Sequence, residues 1–269
     1  ETAMTTTTTP TRMPALFIGH GSPMLAIEPN GFTPVWRQVA DAMPRPRAVV
    51  CISAHWESLD SAATAAEAPP TIHDFYGFPP ALYELQYPAP GQPALAAELQ
   101  GRQQGAPLRL DQARGLDHGC WAVLMHMYPE ADVPVLQLSL PRRLDARQQM
   151  ALARQLRPLR EQGVLILGSG NLVHNLRLVD WAHMNEPDYG FDWARSAQRK
   201  LLDLVRAGDL EALADYPALG DDVRRAVPTP EHFLPLLWVL ALRDEGEPLA
   251  IFNTEFVGGS LDMSCVQVG

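Results

Sequence analysis

Four short apolar runs, Pro14–Gly19, Ala48–Ser53, Val133–Leu140 and Gly163–Leu167, constrain this chain more than any other feature. Each is strand-sized, and each is nearly continuous in apolar character rather than alternating. Such strands must be covered on both faces, as in a parallel sheet sandwiched between helices. The segments between them supply the helices. Pro34–Ala42, Pro93–Gln103, His118–Tyr128, Asp145–Glu161, Asp192–Ala207 and Pro230–Leu242 carry helical patterns. The last has Thr229 placed to cap and Pro230 in its first turn. Two late runs, Leu249–Phe256 and Ser260–Val268, flank Gly258 and Gly259 and read as an antiparallel hairpin. The expected fold is therefore α/β, a single domain over residues 13–269, with a central, mostly parallel but mixed sheet and helices on both faces. Residues 1–12, ETAMTTTTTPTR, read as a disordered polar leader with a tag remnant and are left out of the fold.

Composition narrows the functional classes. The chain has 269 residues, of which 46% are apolar, enough for a large core. A net charge of −10 argues against a nucleic-acid or anionic-membrane partner. No apolar run reaches the roughly 18 residues needed to cross a bilayer. Cys51, Cys120 and Cys265 are odd in number and far apart, which argues against disulfides or a cysteine zinc site and for a reducing cytoplasm. No feature identifies an interface between copies. GxSxG, GxxxxGK[ST] and HExxH are absent, and Gly168-Ser169-Gly170 is only a fragment of a dinucleotide fingerprint.

The histidines carry the chemical signal. There are eight, and their placement matters more than their number. His20 follows the first apolar run, His55 the second, and His174 the fourth after a short Gly-Ser-Gly-Asn turn. In an open α/β sheet, ligands bind beyond the carboxyl ends of parallel strands, so these rings can converge. His232 and His118 sit at expected helix starts. Several convergent imidazoles make a metal site with open positions, suited to Zn²⁺ or Fe²⁺. His126 and His183 read as ordinary polar residues. Pro69–Pro90 is a proline- and aromatic-rich loop containing His73, Asp74, Phe75, Tyr76 and Phe78. Loops of this length inside a compact domain are usually functional. The loop is a candidate lid or pocket wall, with His73, Asp74 and Tyr76 as candidate substrate contacts; Asp74 suits a substrate amine or a cap of the next turn, and Trp56 is a candidate pocket wall.

The segments PALFIGHGSPM, AVVCISAHWE, PPTIHDFYGFPPALYELQYPAPG, GLDHGCWAVLMHMYP, GSGNLVHNLR and TPEHFLPLLWVLAL occur in this order. Together they resemble the class III extradiol ring-cleavage dioxygenases, and more closely the DOPA 4,5-dioxygenase-like branch. The resemblance spans residue 13 to the C-terminus. It implies one divalent metal per chain, held by His20, His55 and His232, with His174 as a further ligand or the acid/base. It implies that His118 contacts substrate or oxygen. The broader superfamily uses two histidines and a glutamate, whereas this chain has His232 at the third position beside Glu231. Fe²⁺ is expected for turnover, with Zn²⁺ as an alternative bound ion. The implied partners are a catecholic small molecule and O2, and the implied product is a muconic semialdehyde. A zinc-dependent hydrolase, or a metal- and catechol-binding protein without turnover, are the alternatives to test.

Overall fold

The computed structural model describes residues 11–102 and 107–269. Its strands are β1 (Ala15–Gly19), β2 (Ala48–Ser58), β3 (Ala62–Thr64), β4 (Arg109–Asp111), β5 (Val135–Pro141), β6 (Val164–Gly170), β7 (Leu249–Phe252), β8 (Phe256–Val257), β9 (Leu261–Asp262) and β10 (Cys265–Val268). The main sheet runs β4-β3-β5-β2-β6-β1-β10-β7, and β8 pairs with β9 separately. The inner strands β5, β2, β6 and β1 are mutually parallel, while β10 joins antiparallel to β1 and to β7. The expected single α/β sheet is thus the observed one.

Side-chain alternation divides each inner strand between two cores. Phe17, Val50, Ile52 and Ile166 point to one face, beneath helices Ala146–Arg154, Asp192–Ala207 and Leu234–Leu240. Leu16, Ile18, Cys51 and Leu167 point to the other, beneath Thr33–Ala42 and His118–Met127. Double coverage explains why these strands carry so few polar residues.

Several boundaries differ from expectation for identifiable reasons. The helix expected over Asp145–Glu161 is two, Ala146–Arg154 and Arg157–Glu161. Pro158 lacks the N–H an unbroken helix needs and would clash with the carbonyl of Arg154, so it sits in the first turn of a new helix. The helix expected from Pro230 begins at Leu234. Thr229 Oγ1 donates to Glu231 Oε1 at 2.8 Å instead of capping, and the His232 carbonyl accepts from Asn171 N at 2.9 Å. The late hairpin holds, but each arm is broken, giving β7 with β10 and β8 with β9. β3 and β4 were not foreseen, since three residues each leave no readable period. Residues 1–10 of the expected leader, and Gln103, lie outside the described residues. Arg12 belongs to the fold, pairing with Glu161 at 2.8 Å and Asp244 at 2.5 Å.

Strand register positions the site. Gly19 of β1 is level with Gly170 of β6, and Ser53 of β2 with Ser169. The residues just beyond these positions therefore meet at one sheet edge. The turn carrying His232 lies directly on β6, and a Cβ added at Gly170 would fall 2.1 Å from the His232 carbonyl oxygen. Gly170→Ala should therefore cost about 1–3 kcal/mol through overpacking in urea denaturation. Gly101, whose Cβ would meet nothing within 4 Å, provides the control. Equal behaviour of the two alanine variants would contradict this close-packed turn.

Candidate metal centre

His20 leaves β1 with its backbone N–H donating to the Gly170 carbonyl at 2.9 Å. Its ring Nδ1 lies 2.9 Å from Ser169 Oγ, which fixes the ring from behind. His55 does not follow its strand, as expected, but lies within β2 where the register against β5 shifts between Ile52 and Glu57. Ser53 Oγ accepts from the His55 backbone N–H at 3.1 Å. The Nε2 atoms of His20 and His55 are 3.0 Å apart.

Three more rings join them. His118 is the first residue of its helix, and its ring centroid lies 3.9 Å from that of His55. One ring nitrogen each from His20, His55 and His118 can be chosen with all three within 4.8 Å of one another. His232 lies 5.4 Å from His20 and 5.0 Å from His55 between centroids. His174, tied by its N–H to the Ala226 carbonyl, stacks on His232 at 3.5 Å with an interplanar angle of 6°. All five histidines singled out by the sequence thus share one space.

The environment favours the neutral form of His20, His55, His174 and His232. Burial, and then the neighbouring imidazoles, push His20 and His55 well below the ordinary histidine range. Burial and His232 bring His174 down to about 3. Burial also lowers His232, although Glu231 opposes it. Neutral imidazole is the form that binds a metal. His232 Nε2 is buried without a hydrogen-bond partner, while its Nδ1 lies 3.4 Å from Glu231 Oε1. An orphaned buried nitrogen costs about 1–3 kcal/mol. A cation beside the 3.0 Å pair would relieve both features, so the donor set fits a divalent metal of the imidazole-preferring kind.

Asp74 and Asp117 join Glu231 around the cluster. Asp74 Oδ1 accepts from the His118 backbone N–H at 2.8 Å. Its Oδ2 lies 2.9 Å from His118 Nδ1, off the line of the ring N–H, and 3.9 Å from His55 Nδ1. Burial pushes the Asp74 carboxyl up, but its bonds to His118 outweigh this and hold it below the usual range. Asp117 is fully buried and caps the helix that begins at His118. It accepts from Ser53 Oγ at 2.7 Å, from Gln137 Nε2 and from Arg114 at 3.2 Å, linking β2, β5 and that helix. Gly119 makes this junction possible, because a Cβ there would meet Ser53 Oγ at 2.4 Å.

The aromatic loop contributes differently from expectation. Tyr76 is 92% exposed. Its neighbour Phe75 turns inward, edge-on to His118 at 5.6 Å and packed against Phe78 and Tyr83. His73 Nε2 donates to the Leu85 carbonyl at 2.8 Å, and its ring packs beside Trp121. Trp56 is buried under the Arg114 guanidinium at 5.0 Å, on the strand face opposite to its neighbour His55. Asp74 is therefore the loop residue that reaches the histidines by hydrogen bonds. His126 donates to the Leu25 carbonyl and His183 pairs with Asp180, both away from the cluster. Phe75 belongs to the loop expected as a pocket wall, whereas sequence reasoning missed Ser169 and the Asp117 network. Asp117 left one signal, its position before a helix-starting histidine.

A family model described as the catalytic LigB subunit of aromatic ring-opening dioxygenase matches residues 14–259. The chain is 44% identical over 265 residues to "4,5-DOPA dioxygenase extradiol" of Escherichia coli (strain K12), covering 96% of each protein. It is 36% identical to the protein of the same name from Beta vulgaris, covering 90% of this chain and 91% of that protein. Its fold matches the crystal structure of an uncharacterized Escherichia coli K12 protein at a TM-score of 0.81, with 39% identity, covering 96% of this chain and 100% of the other. Among the described residues, no helix is long and apolar enough to cross a membrane. The histidine cluster at the strand ends and these full-length matches lead to one conclusion: the chain belongs to the class III extradiol dioxygenases, the family of the catalytic LigB subunit of aromatic ring-opening enzymes.

Proposed function

We propose that this enzyme opens the ring of a DOPA-like catechol beside its two hydroxyls, adding both atoms of O2 to give a muconic semialdehyde. The observation that carries the reading is the convergence of neutral, buried imidazoles around an inward-facing Nε2 pair. The names of the relatives support the substrate class. His20, His55 and His232 are the metal ligands in this proposal. The unpartnered Nε2 of His232 supports it as the third ligand, while the likewise unpartnered Nδ1 of His118 faces Asp74. When bound, Fe²⁺ supplies the electron-transfer chemistry that couples O2 to an electron-rich ring, which redox-inert Zn²⁺ lacks.

The remaining residues handle protons and orientation. His174 accepts a catechol proton: its imidazole is neutral near pH 7, and a neighbouring catecholate anion favours its protonated form. The burial that lowers its pKa also makes it release that proton readily later in the reaction. His118 contacts substrate or oxygen through its Nε2, which accepts from a hydroxyl when the ring proton sits on Nδ1. Phe75 forms an aromatic wall beside His118.

Protein stripped of metal and reloaded anaerobically should consume O2 with a catechol when given Fe²⁺, and not when given Zn²⁺. Turnover without oxygen, supported by Zn²⁺ alone, would replace this reading with a hydrolase. Tight catechol binding with no turnover under either metal would leave a binding protein. His232→Ala should lose bound metal, whereas His118→Ala and His174→Ala should keep it and lose at least about a hundredfold in kcat. Metal analysis beside the rate assay separates these roles, and metal loss from His118→Ala alone would exchange His118 and His232. The metal-free protein should lose stability as pH falls below about 6.5, because the unfolded chain takes up protons that the buried folded imidazoles refuse. Urea titrations at several pH values check this, and stability unchanged between pH 7 and 5 would contradict it.

A further inference from the structure

The Asp74 carboxylate lies in the aromatic loop, where a substrate-facing acid is the obvious reading. Its contacts indicate another role. Oδ1 accepts from the His118 backbone N–H, and Oδ2 faces His118 Nδ1 at 2.9 Å with His55 Nδ1 at 3.9 Å. The Asp74 side chain is 19% exposed and that of His118 7%, so the pair is largely screened from solvent. We propose that Asp74 is a positioning residue that sets the orientation and tautomer of the His118 ring, and is not the reader of a substrate ammonium group.

A carboxylate near Nδ1 favours the proton on that nitrogen and leaves Nε2 free to face the reaction space. The same carboxylate satisfies the first N–H of the helix His118–Met127, which a loop residue would otherwise leave to water. One side chain thereby joins the loop to the helix start and fixes the ring that both present. Trp121 Nε1 donates to the Ile72 carbonyl at 2.8 Å, a second anchor between loop and helix that survives removal of Asp74. With Oδ1 accepting from the backbone N–H and Oδ2 lying against the His118 ring, the carboxylate is turned to its own helix start rather than to an incoming cation. The Asp74→Asn variant keeps size and an acceptor for the backbone N–H but removes the charge facing the ring.

The inference rests on the dioxygenase reading only for its turnover measurement. Two measurements decide it, made on wild type, Asp74→Asn and Asp74→Glu. The first records the His118 ring nitrogen and N–H signals by NMR on zinc-loaded, ¹⁵N-histidine-labelled protein, assigned by their loss in His118→Gln. The second compares DOPA with 3,4-dihydroxyphenylpropionate, which lacks the amine, using iron-loaded protein. We expect Asp74→Asn to shift the His118 signals and to lower kcat at least about tenfold on both substrates. The ratio of their kcat/KM values should change by less than twofold, and Asp74→Glu should recover part of the rate. Unshifted His118 signals, or a loss confined to DOPA, would overturn the proposal; the latter would make Asp74 the ammonium reader. Wild type inactive on both catechols would remove the dioxygenase reading, and the NMR measurement would still decide the role of Asp74.

Discussion

Five imidazoles share a space in which burial makes His20, His55, His174 and His232 poor carriers of charge, and that constraint organises the rest of the site. Burial alone depresses His20, His55, His174 and His232, and their closeness depresses them further. A cluster of this kind is costly for a fold that has no use for it. Crowded donors with two buried nitrogens, His118 Nδ1 and His232 Nε2, left unpartnered make sense around a cation, which turns mutual interference into shared coordination.

The scaffold meets this cost by holding each ring from behind. Ser169 holds His20, Glu231 adjoins His232, the flat face of His174 covers His232, and Asp74 lies against His118. Asp117 forms a second layer, tying the strand of His55, the strand of Gln137 and the helix of His118 into one buried network. Metal sites draw affinity and reactivity from such outer contacts as well as from the ligands themselves. The glycines at the junctions have a related use: Gly170 and Gly119 allow backbone and rings to approach where a methyl group would collide.

Much of this was legible before any coordinates. Near-continuous apolar runs identified β1, β2, β5 and β6, because burial on both faces leaves a strong compositional trace. Histidines at the ends of those runs identified the site, because parallel strands deliver their carboxyl ends to one edge. What escaped depended on tertiary context. Nothing local distinguishes Phe75 from Tyr76; only the course of the loop over Trp121 turns one inward and leaves the other 92% exposed. The bond between Asp74 and the His118 backbone also escaped, because the two residues are 44 apart in sequence. The late start of the helix expected from Pro230 reflects the His232 carbonyl bonding to Asn171, a contact between distant segments.

The central claim is that His20, His55 and His232 hold one divalent metal at the sheet edge while His118 and His174 stay free to act on substrate. Anomalous diffraction from crystals of the cobalt-loaded protein tests it most directly. The expected result is a single metal peak bonded to Nε2 of His20, His55 and His232. A peak elsewhere, or one ligated by His118 in place of His232, would contradict it.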